Sequence, residues 1–64
     1  MIYVTFYSHY GAMQFKKEMQ RRGAAVTLMP VPRHLSSSCG TCARLDWPDV
    51  ESLPKEDVEG VYPA

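Results

Sequence analysis

The sequence predicts one small α+β domain over residues 1–64, a single sheet with helices on one face. Three observations carry that expectation: strict apolar alternation at the start, a run of helix formers after it, and short apolar segments further on.

Ile2, Val4 and Phe6 alternate with Tyr3, Thr5 and Tyr7, so Ile2–Tyr7 reads as a strand of β-branched and aromatic residues. Ser8 can cap a helix by accepting from a free amide of its first turn. His9 to Arg22 is rich in Ala, Met, Gln, Lys and Glu, with Ala12, Phe15 and Met19 on one face. Met13 and Met19 are expected to fill core gaps. Arg21 and Arg22 suit the negative end of the helix dipole, and Gly23 supplies the stop.

Ala24 to Val31 reads as a second strand, which Pro30 and Pro32 turn into an edge or an exit from the sheet. The serines and glycine of Arg33–Cys42 mark a loop that holds both cysteines. Ala43–Asp46 is a short third strand or the tail of a helical turn. Asp46-Trp47-Pro48 resembles a helix start, and Pro54 cuts that helix to Pro48–Leu53. Val58–Tyr62 is the last strand. This order is that of a small ferredoxin-like β-α-β-β-(short α)-β sandwich. A right-handed first crossover makes strands one and two parallel and brings the Ser8 helix start beside the Arg33–Cys42 loop.

Seven basic residues balance seven acidic ones, so no broad field argues for nucleic acid or a membrane surface. Lys16, Lys17, Arg21 and Arg22 read as a solvated helix face, with partner docking the weaker reading. Asp49, Glu51, Glu56, Asp57 and Glu59 read as solvated acidic surface, able to guide self-association opposite the basic helix. Tyr3, Tyr7 and Tyr10 lack the basic–aromatic signature of an RNA platform. The Met-Ile-Tyr-Val-Thr-Phe start has no basic, long-apolar character of a secretion signal, and no stretch approaches the roughly 20 apolar residues of a span. The expected location is cytoplasmic, where two cysteines three apart favour redox, sulfur-transfer or metal chemistry over a structural disulfide.

Cys39-Gly40-Thr41-Cys42 lets two sulfurs approach across a tight turn, an arrangement that commonly lowers one thiol's pKa. Amides of the Ser-rich run or of the Ser8 helix start would steady a thiolate, and Arg33, His34 and Arg44 would add positive potential. Two inert thiols are the bland reading. Three active ones stand beside it. In the first, Cys39 carries sulfur or selenium as a persulfide-type adduct and Cys42 resolves it as a disulfide. In the second, the pair is a thiol–disulfide switch without cargo. In the third, Cys39, Cys42, His34 and perhaps His9 hold zinc, although their spacing matches no common zinc pattern. His9 could assist acid–base chemistry, but a first-turn surface residue is its bland reading. Trp47 reads as a core or interface anchor, with a lid over the cysteines as the sharper alternative.

Tyr3-Val4-Thr5-Phe6-Tyr7-Ser8, Met29-Pro30-Val31-Pro32-Arg33 and Ser36-Ser37-Ser38-Cys39-Gly40 resemble the selenium/sulfur carrier-like family of short bacterial proteins. The resemblance runs on through Arg44-Leu45-Asp46 to Gly60-Val61-Tyr62, and the Pro-x-Pro-Arg and Ser-Ser-Ser-Cys-Gly segments are its specific part. It implies that Cys39 is the family's signature cysteine, with Arg33, Ser37, Ser38 and Gly40 as the surrounding anion- or substrate-binding motif. Cys42 stands where the family pattern is apolar, so a resolving role belongs to this chain alone.

The leading expectation is a carrier or accessory protein rather than a stand-alone enzyme. It needs no resident cofactor, and its partners are sulfur or selenium donor and acceptor proteins such as a cysteine desulfurase. Self-association into a homo-oligomer is compatible with the small size. The alternative is a non-catalytic interaction module with a thiol–disulfide or zinc switch.

Overall fold

A computed structural model describes residues 1–64. The elements are β1 (Ile2–Phe6), α1 (His9–Arg21), β2 (Thr27–Pro30), β3 (Thr41–Leu45), a single 3-10 turn (Val50–Ser52) and β4 (Val58–Pro63). The four strands form one sheet in the order β2-β3-β1-β4, with every neighbouring pair antiparallel. β1 and β2 therefore run in the same direction with β3 between them. The α+β architecture holds, with one α-helix where the sequence suggested two. Pro48 and Pro54 bracket too few residues for more than one turn.

The alternation in β1 sorts the two faces. Val4 and Phe6 point to the helix side, where they join Ala12, Phe15, Met19, Ala43, Leu45, Val26 and Leu53 in the core. Phe6 meets Phe15 edge to face at 5.2 Å between ring centroids, a contact that adds to the area both rings bury. Met19 is fully buried as expected, but Met13 is 53% exposed. Its position is on the solvent side of the helix face that Ala12, Phe15 and Met19 define.

Helix α1 is closed at both ends. Ser8 Oγ accepts from the Gly11 amide at 3.1 Å, a cap worth about 1 kcal/mol. At the other end Gly23 takes φ +94, its N–H reaches Gln20 O at 3.0 Å, and the Ala24 N–H reaches Met19 O at 2.9 Å. This paired closure spends the Ala24 amide on the helix, so β2 begins at Thr27 and not at Ala24. Glu18 accepts from Arg21 and Arg22, and these hydrogen bonds hold its carboxyl down to about 2. Two of the four clustered cations are thus paired within the helix. Arg22 Nη1 also donates to Ser52 O at 2.8 Å, tying the 3-10 turn to the helix end. Trp47 packs against the core with its Nε1 donating to Ser52 Oγ, as an anchor for that turn.

Candidate functional site

The chain ends of β1 and β2 and the starts of β3 and β4 share one edge of the sheet, because Thr5 pairs with Cys42, Pro30 with Thr41, and Phe6 with Val58. The segment from Val31 to Gly40 rises from that edge. Its base is closed by the Val31 N–H on Gly40 O at 3.1 Å, and Gly40 reaches φ +75, a conformation that other side chains resist. Ser37 Oγ donates to Phe6 O at 3.0 Å and pins the segment beside the start of α1. The expected meeting of the helix start and the cysteine loop is therefore present.

The segment also folds over the sheet face away from the helix. Thr5 and Cys42 point to that face, yet both are fully buried. The His34 ring stands edge-on to Tyr3 of the same face, with centroids 6.4 Å apart. Thr5 Oγ1 donates to Gly60 O at 3.3 Å, so the buried hydroxyl is satisfied.

The two cysteines occupy different settings. Cys39 is half-buried on the loop, packs against the core, and its Sγ donates to Thr41 O at 3.4 Å with Ser37 Oγ 3.8 Å away. Cys42 lies inside β3, not in the loop as the sequence suggested, because Thr41 and Cys42 pair with Pro30 and Met29. Its Sγ donates weakly to Pro30 O at 3.9 Å. Burial, followed by the nearby Cys39 sulfur, pushes the Cys42 thiol up from its ordinary value. Both thiols are free.

Of the other candidates, Arg33 and His34 form an exposed turn closed by the Leu35 N–H on Pro32 O, and Arg44 is exposed within β3. Arg33 and Arg44 make no ion pair. His9 is exposed in the first turn of α1. No three His, Cys, Asp or Glu side chains gather in a metal-ligating group, so Cys39, Cys42, His34 and His9 are not assembled as a zinc set.

Two carboxylates that the sequence assigned to solvated acidic surface make specific contacts, one at the start of α1 and one on the loop. Asp57 takes φ 61, in the left-handed region, and its Oδ2 accepts from the Ser8 N–H at 3.0 Å and from Ser8 Oγ at 2.6 Å. A carboxylate thus already fills the α1 start that was expected to steady a cysteine thiolate. Gly11 is required beneath it, since a methyl there would overlap the Asp57 carboxylate. Glu59 accepts from the Ser38 N–H at 2.9 Å and from Ser38 Oγ at 3.1 Å. It is aimed at the loop by a register shift in β4, where Thr5 faces Gly60 but Phe6 faces Val58 and Glu59 is the extra residue. No local sequence signal marks such a bulge.

The family model described as "Putative Se/S carrier protein-like" matches residues 1–59, and the chain belongs to that family. No curated protein and no solved structure matches the chain.

Proposed function

From that membership, we propose that the protein is a small sulfur or selenium carrier with Cys39 as its cargo site. The observation that carries the reading is the contrast in access. Cys39 sits on the loop and is partly open to a partner, whereas Cys42 is fully buried in β3. Loading is a transfer between sulfurs. The Cys39 thiolate attacks the terminal sulfur of a donor persulfide, a new S–S bond forms on Cys39, and the donor sulfur leaves as a thiolate. Ser37 and Gly40 shape the loop that presents Cys39, and Ser38 supplies an N–H and a hydroxyl next to it.

Release has two routes in this reading. An acceptor thiolate takes the terminal sulfur and returns Cys39 as a thiolate. Alternatively, Cys42 attacks the Cys39 sulfur, a Cys39–Cys42 disulfide forms, and the cargo leaves as hydrosulfide or hydroselenide with the electron pair. The second route requires the start of β3 to open, because Cys42 is held between Thr5 and Met29. The chain acts as a carrier rather than a stand-alone enzyme, in the cytoplasm, with a cysteine desulfurase as the type of donor. No helix is long and apolar enough to cross a membrane, which is compatible with that setting. The sheet order supports a ferredoxin-like sandwich whose second helix has shrunk to one turn.

The test is intact-mass analysis after anaerobic incubation with a cysteine desulfurase and free cysteine. The expected result is the added mass of one sulfur on Cys39, lost in Cys39→Ser and retained in Cys42→Ser with slower release. Loading that survives Cys39→Ser overturns the proposal.

A further inference from the structure

Ser38 carries the only amide and hydroxyl of the loop that both point at one carboxylate. That residue immediately precedes Cys39, so a charge held on these two donors lies one residue along the chain from the thiol, whose own partners are Thr41 O and Ser37 Oγ. Glu59 supplies that charge, and the β4 bulge dedicates it to the contact. No ion pair offsets its charge there, since the three in the molecule involve the N-terminal amine with Asp46 and the two arginines with Glu18.

We propose that Glu59 is a charge gate for Cys39, a specificity-determining residue whose carboxylate, held on the preceding Ser38, disfavours free anionic reactants at the thiol. This deepens the carrier reading and rests on it for its biological meaning. A neutral reactant meets no such barrier. A protein donor that brings a lysine or arginine beside its persulfide draws Glu59 away and frees the Ser38 donors for the incoming charge. The partner implied is therefore one with a cation next to its sulfur-bearing residue. Small anions such as hydrosulfide are held back from unprogrammed exchange.

The test compares two small disulfides that react with Cys39 by the same step. In each, the Cys39 thiolate attacks one sulfur, a mixed disulfide forms, the reagent's S–S bond breaks, and an aromatic thiolate leaves with the electron pair. Dithiobis(nitrobenzoate) brings negative charge to the site, and dithiodipyridine is neutral. Both are run on the full chain carrying Cys42→Ser, so that Cys39 alone reports. Glu59→Gln keeps an oxygen acceptor for the Ser38 N–H and removes the charge. It is expected to raise the rate with the anionic reagent about three- to tenfold, as for one exposed charge at short range, and to leave the neutral reagent within about twofold. Added salt is expected to shrink the gap between the parent and Glu59→Gln.

Glu59→Ala controls for looseness, since a loop that merely opens accelerates both reagents together. Equal acceleration in Glu59→Gln, or no change with either reagent, overturns the proposal. The readout is independent of cargo: charge selectivity that holds while persulfide loading fails removes the carrier reading and leaves the gate. Loading that succeeds without charge selectivity does the reverse.

Discussion

Cys39 and Cys42 are separated by two residues and have the same side chain, yet the fold treats them as opposites. Cys39 sits on a loop, presses on the helix-side core and keeps part of its surface in solvent. Cys42 faces the other side of the sheet, in a strand with neighbours on both flanks, and has no exposed surface. The difference comes from one backbone event: Gly40 at φ +75 turns the chain into β3, so that residues beyond it obey the alternation of the sheet. A Cys-x-x-Cys spacing alone does not place two sulfurs in one environment. Which of them is reactive depends on where a strand begins.

The largest expected effect abolishes the contrast. Phe6→Ala removes a fully buried ring that contacts Phe15 and costs about 3–5 kcal/mol, comparable to what a core of this size supplies. In the parent protein, timed alkylation with mass detection should modify Cys39 about a hundredfold faster than Cys42, whose exposure needs local opening. In Phe6→Ala the two rates should converge. Persistence of the full ratio would show that the burial of Cys42 does not depend on the core.

A pH series sharpens the contrast. Because burial raises the Cys42 thiol, the folded state keeps a proton that the unfolded chain loses at the ordinary thiol value. The folded state therefore binds more protons in that window, and stability falls as pH climbs from the ordinary thiol range toward the raised value. The denaturation midpoint should decline over that range in the parent, and the Cys42-linked part of the decline should vanish in Cys42→Ala. A decline of the same steepness in Cys42→Ala would assign it to other groups.

The smallest effect is at the loop. Ser37→Ala removes one hydrogen bond to Phe6 O and is expected to cost about 1 kcal/mol. Its signature is faster labelling of Cys39 with Cys42 unchanged. Equal acceleration at both thiols would mean that the Ser37 bond also holds down the part of the loop that covers Cys42.

How far the sequence could be read follows the range of the forces involved. β1 and α1 were legible because alternation, the Ser8 cap and the Gly23 stop are written in adjacent residues. β4 was legible as a strand, and it runs one residue further, to Pro63, with a bulge at Glu59 that its own residues do not mark. β2 and β3 were displaced. The Ala24 amide is claimed by Met19 O, which shortens β2, and Thr41 and Cys42 become strand only through partners elsewhere in the chain. Around the site, Cys39, Ser37 and Ser38 could be singled out from residue type. Asp57 and Glu59 could not, because a left-handed aspartate and a bulge-directed glutamate take their meaning from Ser8 and Ser38, 49 and 21 positions away.

The sheet order carries a consequence for how the chain is made. β1 lies in the interior of the sheet, and its two partners, β3 and β4, are both synthesised after α1 and β2. Ile2 pairs with Leu45 on one side and Pro63 on the other. The apolar strand β1 therefore leaves the ribosome with neither neighbour available and waits until β4 has been made before both its ladders can close. Such non-local pairing places folding toward the slow end for a domain of this length. Until then, Ile2, Val4 and Phe6 form an uncovered strand that other chains can pair with. The hazard is greatest during translation, before β4 has emerged.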